Sequence, residues 1–209
     1  MAKLDVERLL MCLRIKGFGK TEAIGEAMGT STEEVRGGLA DLVARQWVEE
    51  TKVGYRLSPS GRAEADKAFG LERAALDQNI FSKLYEEFSP INDAFRQLVT
   101  RWQMRTVGDR QVRNDHTDAA YDKSVLEGFD PIHHDISDLI GTIAATAPRV
   151  GGYKQRLDLA LGKIRSGDVS YIAAPDRDSY HTAWFELHQD LIGLAGTTRQ
   201  KEAAAGRAV

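Results

Sequence analysis

The residues most able to do chemistry gather in DSYHTAWFELHQD at 178–190, which holds two of the five histidines and one of the three tryptophans. Metal binding is the first possibility to test. On a helix rising about 1.5 Å per residue, His181 and His188 stand roughly 10.5 Å apart, whereas zinc holds each imidazole nitrogen at about 2 Å. They do not share one ion. A zinc-peptidase helix needs histidines four apart with a glutamate after the first, and that spacing is missing. Adjacent His133 and His134 point to different sides of a helix and make an equally weak metal motif. No nucleophile elbow, phosphate-binding loop or dinucleotide fingerprint occurs in the chain. The sequence therefore predicts no catalytic residue, no metal site and no cofactor.

What remains for this aromatic and histidine face is the packed core of a helical unit or the wall of a cavity inside it. In the cavity reading, Trp102, Tyr121, Tyr180 and Trp184 supply apolar walls, while Arg105, His116, His181 and His188 supply polar anchors. An organic acid or an acyl thioester suits that mixture, with the polar residues 114–116 as a lid. Arg105, extrapolated along a helix from Ile91 to Trp102, faces inward and needs an anionic partner, either a protein carboxylate or a ligand's acid group. Cys12 has no neighbour that would obviously lower its pKa and reads as a small apolar filler.

Helices must position these groups. Leu71, Ala75, Ile80, Leu84 and Phe88 recur at three- and four-residue spacing, and Ser89-Pro90 is expected to restart the helix with Ile91, Phe95, Leu98, Val99 and Trp102 on one side. Residues 106–118, TVGDRQVRNDHTD, are polar and non-periodic and read as a loop, with Asp115 capping the helix that follows. Asp130-Pro131 opens another helix, burying Ile132, Ile136, Leu139, Ile140 and Ile143. Further helices bury Leu157, Leu161 and Ile164, then Tyr180, Trp184, Leu187, Leu191 and Leu194. The segment 197–209 has no apolar face and reads as a flexible tail.

The first third of the chain has a different grammar. Val6, Leu9, Leu10 and Leu13 mark one amphipathic helix, and Ala23, Ile24, Ala27 and Met28 mark a second. Ser31 and Glu34 form a capping box for a third, with Val35, Leu39, Leu42 and Val43 on one face. WVEET at 47–51 and YRL at 55–57 can pair as a hairpin, and Ser58-Pro59 starts a fourth helix. TEAIGEAMGTSTEEVRGGLADLVARQWVEE followed by YRLSPSGRAEAD resembles the winged-helix regulators of the MarR and PadR type, over residues 4–68. The resemblance implies a helix-turn-helix with a wing, and duplex DNA as the partner. On that reading Ser31, Thr32, Glu33 and Arg36 meet DNA from the third helix, and Lys52, Tyr55 and Arg56 meet it from the wing. The solvent face of the third helix is rich in small residues, Gly37, Ala40 and Ala44, so a winged helix that docks protein is the alternative.

Bulk properties fit a mainly α chain with an N-terminal winged helix-turn-helix (1–69), a helical bundle (70–196) and a tail (197–209). Residues 1–68 carry 11 basic against 11 acidic side chains and the rest 17 against 20, so any DNA contact must come from a local basic stripe. The lone cysteine, the missing secretory pattern and the lack of a long apolar run imply a cytoplasmic protein outside membranes. A homodimer is expected, because one winged helix makes few base contacts and because residues 71–105 offer long apolar faces. NDHTDAAYD at 114–122, taken with DSYHTAWFELHQDLI, resembles a helical domain of actinobacterial winged-helix proteins that accompanies phosphoenolpyruvate-utilising modules. That resemblance implies the alternative role of an accessory to a phosphotransfer enzyme.

Overall fold

The computed structural model describes residues 4–197. Within them the chain is mainly helical with small antiparallel sheets. The expected tail lies outside the described residues except for Thr197.

α1 (Val6–Lys16) is capped by the Asp5 side chain, which accepts from the amides of Glu7 and Arg8, and it ends at Gly17 with φ 76°. α2 (Thr21–Met28) ends at left-handed Gly29, and α3 (Thr32–Ala44) opens with the reciprocal Ser31–Glu34 capping box that the sequence predicts. Left-handed glycine costs nothing at such ends because it has no Cβ. β1 (Phe18–Gly19), β2 (Val48–Thr51) and β3 (Gly54–Leu57) make an antiparallel sheet in the order β1-β3-β2. Val48 pairs with Leu57 and Glu50 with Tyr55. Leu9, Leu10, Leu13, Ile24, Val35, Leu39, Leu42, Val48 and Leu57 close over one another as the core of this unit.

α4 (Pro59–Ala75) uses the Ser58 cap and Pro59 as predicted. It runs straight through the expected boundary at residue 69, so Phe69 and Glu72 reach the second unit. α5 (Gln78–Gln103) corrects the expected restart at Pro90, which lies inside one continuous helix. A helix-interior proline costs about 3 kcal/mol. Buried Phe81, Leu84, Phe88, Phe95, Leu98 and Trp102 form one uninterrupted stripe across it, and each large side chain contributes about 1.5–3 kcal/mol on burial, which outweighs the break.

The expected loop at 106–118 is half sheet. β4 (Met104–Val107) and β5 (Arg110–Arg113) pair antiparallel around Gly108 at φ 59°. Arg105 consequently lies on a strand and not on the inward face of α5. α6 (Ala119–Leu126) is capped by Asp118 and not Asp115, whose carboxylate instead accepts from the Thr117 amide. α7 (Phe129–Ala144) takes in Asp130 and Pro131 as helical residues, and its N-cap position is Gly128. α8 (Gly152–Arg165) and α9 (Tyr180–Leu194), the latter capped by Ser179, complete the bundle. The apolar face of α5 packs on α7 and α9 within this core. Of the faces expected to receive a second copy, the stretch from Phe81 to Trp102 is filled by the chain itself, whereas Leu71, Ala75 and Ile80 are exposed.

Candidate nucleic-acid interface

The capping box fixes α3 so that Glu33 and Arg36 point to solvent while Val35, Leu39 and Leu42 are buried. The Ser31 hydroxyl donates to Glu34 Oε2 at 2.7 Å and accepts from the Glu34 amide, so it is engaged in the cap; Thr32 is half-buried beside it. Along the exposed side Gly37, Ala40 and Ala44 leave a strip with little side chain, and Gly37 has open space where a Cβ would stand.

On the hairpin Lys52 is exposed at the turn. Arg56 Nε donates to Glu49 Oε2 at 2.9 Å, and the Tyr55 hydroxyl donates to Glu50 Oε1 at 3.2 Å. Partial burial, and after it the Glu50 carboxylate, push the Tyr55 phenol above its ordinary value, while Arg36 pulls it the other way. Residues 31–56 carry four cations against five carboxylates, so the face is close to neutral.

The eight residues expected to line one ligand cavity fall into two groups. Tyr180 and Trp184 have no exposed surface and His188 is buried. Trp184 Nε1 donates to buried Asn92 Oδ1 at 3.0 Å, and its ring stacks on Phe95 with centroids 4.1 Å apart. His188 packs on Phe88 at 5.0 Å, and half-buried His181 leans on Phe95 at 6.2 Å. This face is packed core, one of the two readings the sequence leaves open.

Trp102, Arg105, His116 and Tyr121 sit instead at the base of the β4–β5 hairpin. The Tyr121 hydroxyl donates to the carbonyls of Arg101 at 3.0 Å and Met104 at 3.2 Å, and the Arg105 guanidinium lies 5.6 Å from the Tyr121 ring centroid. Buried Asn114 donates from Nδ2 to the Trp102 carbonyl at 3.1 Å and to Asp122 Oδ1 at 2.8 Å. His116, left-handed at φ 59°, stacks on Trp102 at 4.3 Å and hydrogen-bonds Asp122 at 3.0 Å. The residues expected to form a lid thus fasten the hairpin. Trp102 and His116 also line, with Arg113, Asn114 and Ser170, a cleft of about 250 Å³.

Sequence reasoning missed an ionic seam between the two units. Lys16 of α1 bonds Glu186 of α9 at 2.7 Å with both side chains under 10% exposed. Arg156 of α8 bridges Glu186 at 2.8 Å and Asp178 at 2.6 Å. Arg149 reaches Glu72 of α4 at 2.8–2.9 Å and fully buried Asp190 at 2.6 Å, and the Tyr153 hydroxyl donates to Asp190 at 3.1 Å. Burial opposes the charge on Arg149 and Arg156, but the adjoining carboxylates outweigh it and hold both guanidiniums above the ordinary arginine value. Cys12 shares a narrow cleft of about 40 Å³ with this seam, and burial pushes its thiol up to about 11. The available signal was Glu186 and Asp190, four apart on α9 beside its apolar stripe; nothing in the sequence named their partners.

Among the described residues, no cluster of histidine, cysteine and carboxylate side chains is placed to hold a metal ion, and no helix is long and apolar enough to cross a membrane. Compared with protein-family models, curated proteins and solved structures, the chain matches none.

Proposed function

We propose that residues 4–75 form a winged helix that binds duplex DNA, as a transcriptional regulator, with α3 in the major groove and the β2–β3 hairpin over the phosphate backbone. The observation that carries this reading is the joint placement of α3 and the hairpin. Arg36 is exposed on α3 and Lys52 and Arg56 are exposed on the hairpin, and the N-terminus of α3 is fixed by its capping box. The small-residue strip lets the helix backbone come close to the base edges, and Arg36 reaches guanine or phosphate. The ionic seam holds the winged helix at a fixed angle to the bundle, which acts as its platform.

Two copies on a two-fold site supply the contacts one winged helix lacks. Most of the apolar face of α5 is spent inside the chain, so this expectation rests mainly on the DNA geometry, with exposed Leu71 and Ile80 left over from the expected face. An organic acid or acyl thioester has no place on α9, whose aromatic face is filled by its own side chains.

A second reading, a protein-docking winged helix such as an accessory to a phosphotransfer enzyme, is favoured by a specific observation: Glu49 and Glu50 occupy Arg56 and Tyr55, leaving the face nearly neutral. Selection of bound fragments from random duplex DNA separates the two. Enrichment of a short two-fold site whose affinity falls steeply with salt supports the regulator. A folded protein that enriches no sequence overturns it in favour of docking.

A further inference from the structure

Positive charge also gathers away from the winged-helix unit. Residues 101–113, which contain β4, β5 and the end of α5, carry Arg101, Arg105, Arg110 and Arg113 against the single carboxylate of Asp109, in a protein of net charge −3. Both strands are exposed from Thr106 to Arg113. Arg105 pairs across the ladder with Val112, and Val107 with Arg110, so one surface of the ribbon alternates arginine with valine. Val107 and Val112 are 54% and 38% exposed.

Such a hairpin is marginal by itself, yet this one is anchored by buried Asn114, by the Tyr121 hydroxyl and by the Arg105–Tyr121 contact. The anchoring leaves Arg110 and Arg113 exposed. Arg110 and Arg113 have no ion-pair partner among the described residues. The acids at the base are occupied: Asp115 holds Thr117, Asp118 caps α6 and pairs with Arg105 at 3.8 Å, and Asp122 receives Asn114 and His116.

The segment behind the arm also borders the first unit. Residues 169–174 form the wall of the cleft beside Arg113, and the directly following 175–178 wall another cleft of about 400 Å³ with Phe18, Gly19 and Lys20. One short segment therefore links the base of the arm to β1, the strand beside the wing.

We propose that the β4–β5 hairpin is a second DNA-contacting arm, whose Arg110 and Arg113 meet phosphates flanking the site held by α3 and the wing. The inference rests on the DNA-binding reading above. The chemistry is charge complementarity to a polyanion together with shape, since a two-stranded ribbon fits a major groove about 12 Å wide. Removing one phosphate-binding cation lowers the slope of log affinity against log salt by about one.

The test measures that slope on the selected duplex with flanks on both sides. The pair Arg110→Ala and Arg113→Ala should make it shallower by about two and shorten the protected flank, while Arg110→Lys and Arg113→Lys should restore the slope. Unchanged slope and footprint in the alanine pair overturn the arm. If Arg36→Ala and Lys52→Ala still weaken binding in that case, the winged-helix reading stands without it. A wild-type protein that binds no duplex overturns both, as does arm-dependent binding to a protein partner with no DNA contact.

Discussion

Asp190 of α9 meets Arg149 through both carboxylate oxygens in a site where the aspartate has no exposed surface, and the same guanidinium extends to Glu72 of α4. This joint fixes the first unit on the bundle. Replacing one partner of a buried pair leaves the other charged and desolvated, at a cost of about 3–5 kcal/mol. Asp190→Ala should lower the urea midpoint accordingly and expose the linkage between α4 and α9 to protease. A midpoint within error of wild type would show that Glu72 alone suffices for Arg149.

Gly61 and Gly37 should respond in opposite ways to alanine. A Cβ on Gly61 would overlap the Trp47 carbonyl oxygen, where α4 enters against the chain leaving α3, whereas Gly37 has nothing within 4 Å. Gly61→Ala should cost about 3 kcal/mol or more, because backbone must move on both sides. Gly37→Ala, in an exposed helix interior, should stabilise by about 0.5–1 kcal/mol. Thermal unfolding of the two variants side by side decides it.

Burial holds the imidazoles of His181 and His133 below the usual histidine value, and at His133 this outweighs the favourable Asp158 carboxylate. A histidine harder to protonate when folded makes the unfolded state the stronger proton binder. Its contribution is complete above pH about 6.5 and is lost as pH falls below that, through the depressed folded value. The melting temperature should fall from pH 7 to pH 5, and His181→Asn should flatten part of that slope. A variant with the wild-type pH dependence would remove His181 from the account.

Glu49 holds Arg56 on the exposed hairpin. An exposed pair contributes about 0–1 kcal/mol, so Glu49→Gln should leave stability nearly unchanged. On the DNA-binding reading the same change frees a cation and removes a carboxylate facing phosphate. Affinity should rise several-fold at low salt, with the gain shrinking as salt screens it. A fall in affinity on the selected site would mean that Glu49 itself takes part in recognition.

Local physics determined much of this protein directly from sequence. The Ser31–Glu34 box, the Ser58-Pro59 start and the three- and four-residue apolar spacings are interactions within one turn or one face, so α1 to α3, the start of α4 and the β2–β3 hairpin lie where the residues predict them. Where the outcome depended on partners distant in the chain, the tertiary structure decided. Pro90 stays helical because Phe88 and Phe95 on either side of it are both buried against α9. Arg105 left the helix because Asn114 and Tyr121 secure the strand that follows Trp102. Tyr180 and Trp184 became core and Glu186 and Asp190 became an ionic joint for one reason. Periodicity tells which side of α9 a residue is on, but only packing tells whether α5, α8 or α1 lies opposite it.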